Sequence, residues 1–372
     1  MYIKFVTIYG VRIPYLEPFI VAYGTYPDMP TIIVKMETDD GYIGFGEAVP
    51  DQCVTGETFE STITVLQNEL IAEVIGLSPF QIEEAHQRFS RRIHGSPAAR
   101  AALDLAMYDL MGKVANQPVY NLLGGKVHEK LIVPQVISIK EPEDMAKDAQ
   151  RFVNEGFRII KMKVGTDPYK DVERVRQVRQ VIADATLRVD ANQGWMDRAT
   201  ALQVIERIKV YNVDWVEQPV KDGDLEALAE VKKATTVRIM VDEGVHNVKD
   251  LLKVIQMRAA DVVNIKLMKA GGIYPSLAIA SMAEAAGLTC QVGSMVETAI
   301  GTAAGAHLSC ARQVIKSNEM VGPLMLSRDV AKISIHQDEL TLSDKPGLGI
   351  DVEEDVLEEL AIRKIQIASH SN

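Results

Sequence analysis

Six charged residues in the middle of the chain have the types and spacing that metal-assisted proton transfer needs. Lys163 closes Ile-Ile-Lys-Met-Lys, Asp190 closes Leu-Arg-Val-Asp, Glu217 closes Asp-Trp-Val-Glu, Asp242 closes Ile-Met-Val-Asp and Lys266 closes Val-Asn-Ile-Lys, with Lys161 two residues before the first. The five closing charges follow one another at intervals of 27, 27, 25 and 24 residues. Neighbouring strands lie about 4.8 Å apart, so carboxylates at three adjacent strand ends can converge on one ion. An all-oxygen donor set suits a hard cation such as Mg²⁺, and the lack of His or Cys disfavours zinc.

Lys161 and Lys163 point to the same side of a strand, and their mutual repulsion and desolvation are expected to lower their pKa values and free a neutral amine near pH 7. Lys163 precedes the three acids and Lys266 follows them. Around a ring of strands these two lysines face each other across the ion. One can remove a proton from a carbon and the other return it from the opposite face, which is the geometry of a racemase or epimerase. The metal would bind a carboxylate and stabilise the enediolate formed beside it.

The elements that must hold these charges follow from the period, since one strand, one helix and two loops take about 25 residues. In a (β/α)8 barrel, active sites lie at the C-terminal ends of the strands. The expected strands are 132–139, 158–164, 186–190, 213–217, 238–242 and 261–266, with a seventh at Thr289–Gly293 and the eighth at Met320–Leu326. The chain's 372 residues exceed the roughly 250 of a plain barrel, so a second domain is expected. Alternating stretches at Ile3–Tyr9, Thr31–Glu37 and Tyr42–Glu47, with the turn Asp39-Asp40-Gly41, precede helical patterning from Glu57 to Gly112. The reading is an α+β capping domain over 1–125, a TIM-type (β/α)7-8 barrel over 126–326, and a tail over 327–372 that packs back on the cap.

Net charge −11 and the absence of a long basic run argue against nucleic-acid or anionic-membrane partners, leaving a small-molecule substrate. Cys53, Cys290 and Cys310 form no Cys-x-x-Cys pair and suit a reducing compartment. With no targeting segment and no run of 18 apolar residues, a cytoplasmic protein is expected.

The runs Lys161-Met-Lys163, Asp190-Ala-Asn-Gln-Gly-Trp195, Glu217-Gln-Pro219, Asp242-Glu243 and Asn264-Ile-Lys266-Leu-Met-Lys269-Ala-Gly-Gly272 resemble the enolase superfamily, in its muconate lactonizing enzyme subgroup. The resemblance extends from the cap to Lys345-Pro-Gly-Leu-Gly349. It implies Asp190, Glu217 and Asp242 as ligands of one Mg²⁺, Lys163 and Lys266 as the acid/base pair, and Lys161 as an electrostatic helper; association into a homo-oligomer is common in such barrels. Asn192, Glu243 and Lys269, within the same runs, are expected to support the ligands and bases. The mandelate racemase subgroup uses a barrel His, and none of the seven His residues stands at a matching strand end.

Subgroup members include cycloisomerases, o-succinylbenzoate synthases, dipeptide epimerases and N-acylamino acid racemases. Dipeptide epimerases that resemble this chain carry Asp-x-Asp at the eighth strand to hold a free ammonium, whereas here Glu319-Met-Val-Gly-Pro323 puts Val321 in place of the second acid. The loops Tyr23–Asp28 and Val49–Glu57, taken with the barrel motifs, look most like N-succinylamino acid racemases that act on basic amino acids. Asp51 is expected to pair with an arginine or lysine side chain, although it could equally be a turn carboxylate. Tyr26 would pack on the aliphatic stem, while Ser294 and Met295 would line the opposite wall and offer backbone groups to the acyl chain. Glu297 reads as a first-turn charge of the next helix. The expected activity is therefore Mg²⁺-dependent racemisation of N-acyl amino acids, with L,L-dipeptide epimerisation as the alternative and a cycloisomerase, an o-succinylbenzoate synthase or a non-catalytic barrel behind it.

Overall fold

The computed structural model describes residues 1–368. Its strands are β1 (Ile3–Val21), β2 (Gly24–Thr38), β3 (Ile43–Ala48), β4 (Leu131–Ile132), β5 (Gln135–Ile137), β6 (Ile159–Lys163), β7 (Thr186–Asp190), β8 (Val213–Glu217), β9 (Arg238–Val241), β10 (Val262–Ile265), β11 (Thr289–Val292), β12 (Ile315–Asn318), β13 (Ser334–His336), β14 (Glu339–Thr341) and β15 (Ala361–Ala368). Strands β5 to β12 form one parallel sheet in sequential order, with helices between successive strands. This is the expected TIM-type architecture. Strands β15, β1, β2 and β3 make a separate antiparallel sheet, and β13, β14 and β4 a third.

Three details differ from the expected strands. Met320–Leu326 holds a short helix, Gly322–Met325, with Pro323 in its first turn where a missing N–H costs nothing; the eighth strand is β12, five residues earlier. The run 132–139 is divided at Pro134, which cannot donate to a ladder: Leu131–Ile132 pairs with β14, and only Gln135–Ile137 joins the barrel. The segment 23–28 is not a free loop, because β1 and β2 continue as a hairpin that pairs Phe19 with Tyr26 and Val21 with Gly24.

Burial explains why the strands form. In β6 the aliphatic Ile160 and Met162 are fully buried on one face, while Lys161 and Lys163 alternate with them and are buried on the other. In the cap, helix Pro97–Val114 is apolar on almost every side and lies against β3. Gly46 permits that approach, since a Cβ there would stand 1.9 Å from the Ala102 carbonyl oxygen.

Buried carboxylates at helix N-termini join cap to barrel. Asp104, from helix Pro97–Val114, accepts from the N–H groups of Ile273 (2.6 Å) and Tyr274 (3.2 Å) at the start of helix Ile273–Ala285. Gly272 is required there: its φ is +120°, and a Cβ would stand 2.2 Å from the Asp104 carboxyl carbon. Glu47, from β3, accepts from Thr298 N (2.9 Å), Thr298 Oγ1 (2.7 Å) and Gly301 N (2.8 Å) at the start of helix Ala299–Ala311. Each satisfies donors that a helix end otherwise leaves orphaned. Among the described residues, no helix is long and apolar enough to cross a membrane.

Candidate active site

Strand register brings the charges together. Lys163 stands opposite Asp190 across β6 and β7, and Asp190 opposite Glu217 across β7 and β8. Asp242 and Lys266 follow the last residues of β9 and β10, and Glu319 the last of β12. All six are buried, with Asp190, Glu217 and Asp242 at 0% exposure. Lys161 Nζ lies 2.9 Å from Asp190 Oδ2, 2.7 Å from Glu217 Oε2 and 2.9 Å from Glu319 Oε1. Lys163 pairs with Asp190 at 2.7 Å and Lys266 with Asp242 at 2.7 Å, so the two lysines attach to different acids. Behind them, Lys269 lies 2.6 Å from Asp242 Oδ1 and donates to the Asp242 carbonyl. Asn192 donates through its side chain to Glu243 (3.3 Å) and through its backbone to Asp190 (2.9 Å).

The electrostatics depart from the expected lowering at Lys161. Burial pulls the Lys161 ammonium down, but Asp190, Glu217 and Glu319 together push it well above the ordinary lysine value. Lys266 is likewise pulled down by burial and pushed up further by Asp242 and Glu243. The reason is that each lysine meets carboxylates at contact distance, which outweighs ammonium–ammonium repulsion. Lys269, in contrast, is lowered, because burial there exceeds the attraction of Asp242.

The donor set fits a hard divalent cation. Five buried carboxyls, Asp190, Glu217, Asp242, Glu243 and Glu319, stand among four lysines, Lys161, Lys163, Lys266 and Lys269, so acids outnumber lysines. Burial and then repulsion from Asp190 push the Glu217 carboxyl well up although Lys161 is 2.7 Å away, a push that a further cation beside it would oppose. Among the described residues, Glu217 Oε2 and the two Asp242 carboxylate oxygens have only lysine ammoniums as partners, Lys161 at 2.7 Å, Lys269 at 2.6 Å and Lys266 at 2.7 Å, and these oxygens are the ones a cation would share. Among the described residues the acids as placed do not form a ready-made metal cage, since the ammonium of Lys161 stands between Asp190 and Glu217.

Above the acids a cleft of about 670 Å³ opens between cap and barrel, lined by Lys163, Lys266, Asn192 and Glu319 from below and by Tyr26 and Asp51 from the cap. Tyr26 donates to Asp51 Oδ2 (3.0 Å), while Asp51 Oδ1 accepts from Cys53 N (2.7 Å) and Val54 N (2.9 Å). Asp51 is therefore a turn carboxylate through one oxygen and faces the cleft residue Tyr26 through the other. Ser294 and Met295 line the cleft too, but the Met295 N–H donates to Glu297 (2.9 Å) and the Ser294 hydroxyl to the same carboxylate (2.5 Å). These two donors are engaged within the loop. Glu297 is no first-turn charge, since Thr298 caps the helix and Glu297 folds back on the loop.

Non-glycine residues with left-handed backbone cluster in the loops that follow these strands: Asn192 (φ 40°), Gln193 (66°), Gln218 (38°) and Val296 (65°). For β-branched Val296 this is strain, and strain of this kind concentrates at functional sites. Gln218 explains its own conformation, because its Oε1 accepts from Asp242 N (2.9 Å) and Gly244 N (3.3 Å) and so orients the loop after β9. Sequence reading missed Glu319 as a member of the charge cluster, having placed the eighth strand after it. It also passed over Asn264, which donates to Glu217 Oε1 at 2.8 Å and stood in a quoted motif.

Residues 4–124 match the family described as mandelate racemase / muconate lactonizing enzyme, N-terminal domain, and residues 144–356 match the enolase C-terminal domain-like family. The chain is 45% identical, over 97% of its length and 98% of the relative's, to the N-succinyl-L-Arg/Lys racemase of Bacillus cereus. The crystal structure of the N-succinyl Arg/Lys racemase from that organism superposes with a TM-score of 0.97 at 44% identity, covering 99% of this chain and 100% of the other. The dipeptide epimerase of Enterococcus faecalis, solved with Mg and the dipeptide L-Leu-L-Tyr, superposes at 0.91 with 38% identity, covering 94% of this chain and 100% of that one.

Proposed function

This chain belongs to the mandelate racemase/muconate lactonizing enzyme family of the enolase superfamily, and from that premise we propose that it racemises N-succinyl amino acids with arginine or lysine side chains. The observation that carries the substrate is the use of the cleft's two carboxylates. Glu319 is paired with Lys161, and Val321 stands where a second acid would help hold an α-ammonium. A free ammonium, such as a dipeptide's N-terminus, is then poorly held, and an acyl group without positive charge on the α-nitrogen is better accommodated. Asp51, on the cap, has one oxygen whose partner is a neutral hydroxyl, and it suits a cationic side chain far from the reacting carbon.

The chemistry follows from the opposed lysines. Lys163, as neutral amine, takes the α-proton from one face of the substrate, and the electron pair left on the carbon delocalises into the adjacent carboxylate to give an enediolate. Lys266, as ammonium, delivers a proton to the opposite face, and the centre is inverted. The reverse reaction exchanges their roles. Lys161 keeps its charge among Asp190, Glu217 and Glu319 and stabilises negative charge from below. Asp190, Glu217 and Asp242 would hold one Mg²⁺, which when bound supplies Lewis-acid stabilisation to the substrate carboxylate. Acylation matters to this scheme because it removes the ammonium that two lysines and a metal would repel.

Incubation with N-succinyl-L-arginine or N-succinyl-L-lysine in D₂O tests the assignment: loss of optical rotation with deuterium at the α-carbon supports it, and neither change with either substrate refutes it. Dipeptide epimerisation is favoured by the likeness to several dipeptide epimerases, the Enterococcus faecalis enzyme among them, and a panel of L,L-dipeptides distinguishes it. A homo-oligomer is part of this reading, to be checked by light scattering.

A further inference from the structure

Asp51 does not hold its own position; the turn 51–56 holds it. Its N–H donates to Thr55 Oγ1 (3.1 Å), its carbonyl accepts from Thr55 N (2.8 Å) and Gly56 N (3.0 Å), and Oδ1 accepts from Cys53 N and Val54 N. The turn is a closed unit built around this residue, so the carboxylate moves only when the whole turn moves. Among the described residues, one hydrogen bond ties that unit to the barrel: His246 Nε2 lies 2.7 Å from the carbonyl oxygen of Val54. A carbonyl can only accept, so this nitrogen carries the proton.

His246 stands on firm ground. It follows Asp242-Glu243-Gly244-Val245 on the loop leaving β9, where Gly244 N is held by Gln218 Oε1 and Val245 N donates to the Asp242 carbonyl (3.1 Å). Its own N–H donates to Asp250 Oδ2 (3.3 Å), and Asn247 caps the next helix through Lys249 N (2.9 Å) and Asp250 N (3.2 Å). The imidazole is half-buried and is not among the residues that line the cleft. A continuous chain therefore runs from the strand end that carries Asp242, through His246, Val54 and Asp51, to Tyr26.

We propose that His246 is a positioning residue for side-chain specificity: it fixes the Asp51 turn over the barrel mouth, at a set distance from the reacting carbon. Without this bond the turn keeps its internal hydrogen bonds but loses its register on the barrel. The inference rests on the reading of Asp51 as partner of a cationic side chain, and its test separates the two. The kinetic constants of wild type, His246→Ala, His246→Gln and Asp51→Asn are measured with N-succinyl-L-arginine and with neutral N-succinyl-L-norleucine.

His246→Ala is expected to raise KM for the arginine substrate about tenfold, the scale of one hydrogen bond, with kcat changed less than about twofold. Both constants for the norleucine substrate stay at wild-type values, which also reports that the variant is folded. His246→Gln, whose amide can donate to the Val54 carbonyl, brings KM most of the way back. Should the alanine variant not fold, His246→Leu fills the space without the donor and is held to the same expectation. An unchanged KM for arginine, an equal loss on both substrates, or a glutamine variant no better than alanine overturns the role of His246. If Asp51→Asn abolishes the preference for arginine while His246→Ala retains it, only the His246 role fails; if Asp51→Asn retains the preference, the reading of Asp51 fails and the positioning role falls with it.

Discussion

At the scale of single residues, the inward charges of β6 to β10 were legible because strand pleating leaves them no choice: a lysine or acid that alternates with buried Ile, Val and Met must face the barrel interior. Their protonation was not legible, since it depends on which neighbours reach contact distance. Sequence reading weighed Lys161 against Lys163, whereas the folded site sets Lys161 against three carboxylates. The two-base scheme predicts that Lys266→Ala lowers racemisation by about 10²- to 10⁴-fold while one enantiomer still exchanges its α-proton through Lys163. Chiral chromatography together with proton NMR in D₂O separates the two events, and near wild-type racemisation in this variant would remove the scheme. Asp51→Asn should weaken cationic substrates by about 10- to 100-fold in KM, the range of a hydrogen bond between charged groups. Steady-state kinetics with arginine and norleucine derivatives measures that ratio.

At the scale of elements, a period of 24 to 27 residues sufficed to place strands whose ends carry a charge. It failed at the eighth, where β12 reads Ile-Lys-Ser-Asn, a weakly apolar segment, while the more apolar Met320–Leu326 folds as a helical turn. That displacement hid Glu319. Nor does periodicity show that cap carboxylates seat the N-termini of barrel helices, because those contacts join segments 169 to 254 residues apart. Asp104→Ala would strand the buried N–H groups of Ile273 and Tyr274 and should cost roughly 1–3 kcal/mol, read as a fall in urea midpoint. Asp329 makes a pH prediction at the same scale. It accepts from Ala299 N at the start of helix Ala299–Ala311, and burial raises its carboxyl from 3.8 to about 6. A folded-state value above the unfolded one means that the folded state binds the proton more tightly, so this contribution is present below about 3.8 and lost as pH rises through about 6. The difference in Tm between wild type and Asp329→Asn should therefore shift toward the wild type at pH 5 relative to pH 8; a difference independent of pH would contradict it.

At the scale of the whole molecule, the cap and barrel meet over a cleft whose floor is a cluster of buried lysines and carboxylates and whose roof is Asp51 and Tyr26. The barrel and a second, cap-like lobe could be expected from chain length and patterning; how the lobe's hairpin and turn fit the barrel mouth could not, because it depends on contacts such as Val54 with His246. A buried site in which acids outnumber lysines predicts that Mg²⁺ stabilises the whole fold. Tm should rise as Mg²⁺ is titrated into chelator-treated protein, by the amount that ligand linkage dictates, and no rise at millimolar Mg²⁺ would contradict the proposed ligands. The central claim is that opposed lysines invert an acylated α-carbon beneath an acid that selects a cationic side chain. The most direct measurement is proton NMR and polarimetry of N-succinyl-L-arginine and N-succinyl-L-lysine with the Mg²⁺-loaded protein in D₂O. The account predicts racemisation with deuterium at the α-carbon of both products; retention of optical rotation and of the α-proton in both would contradict it.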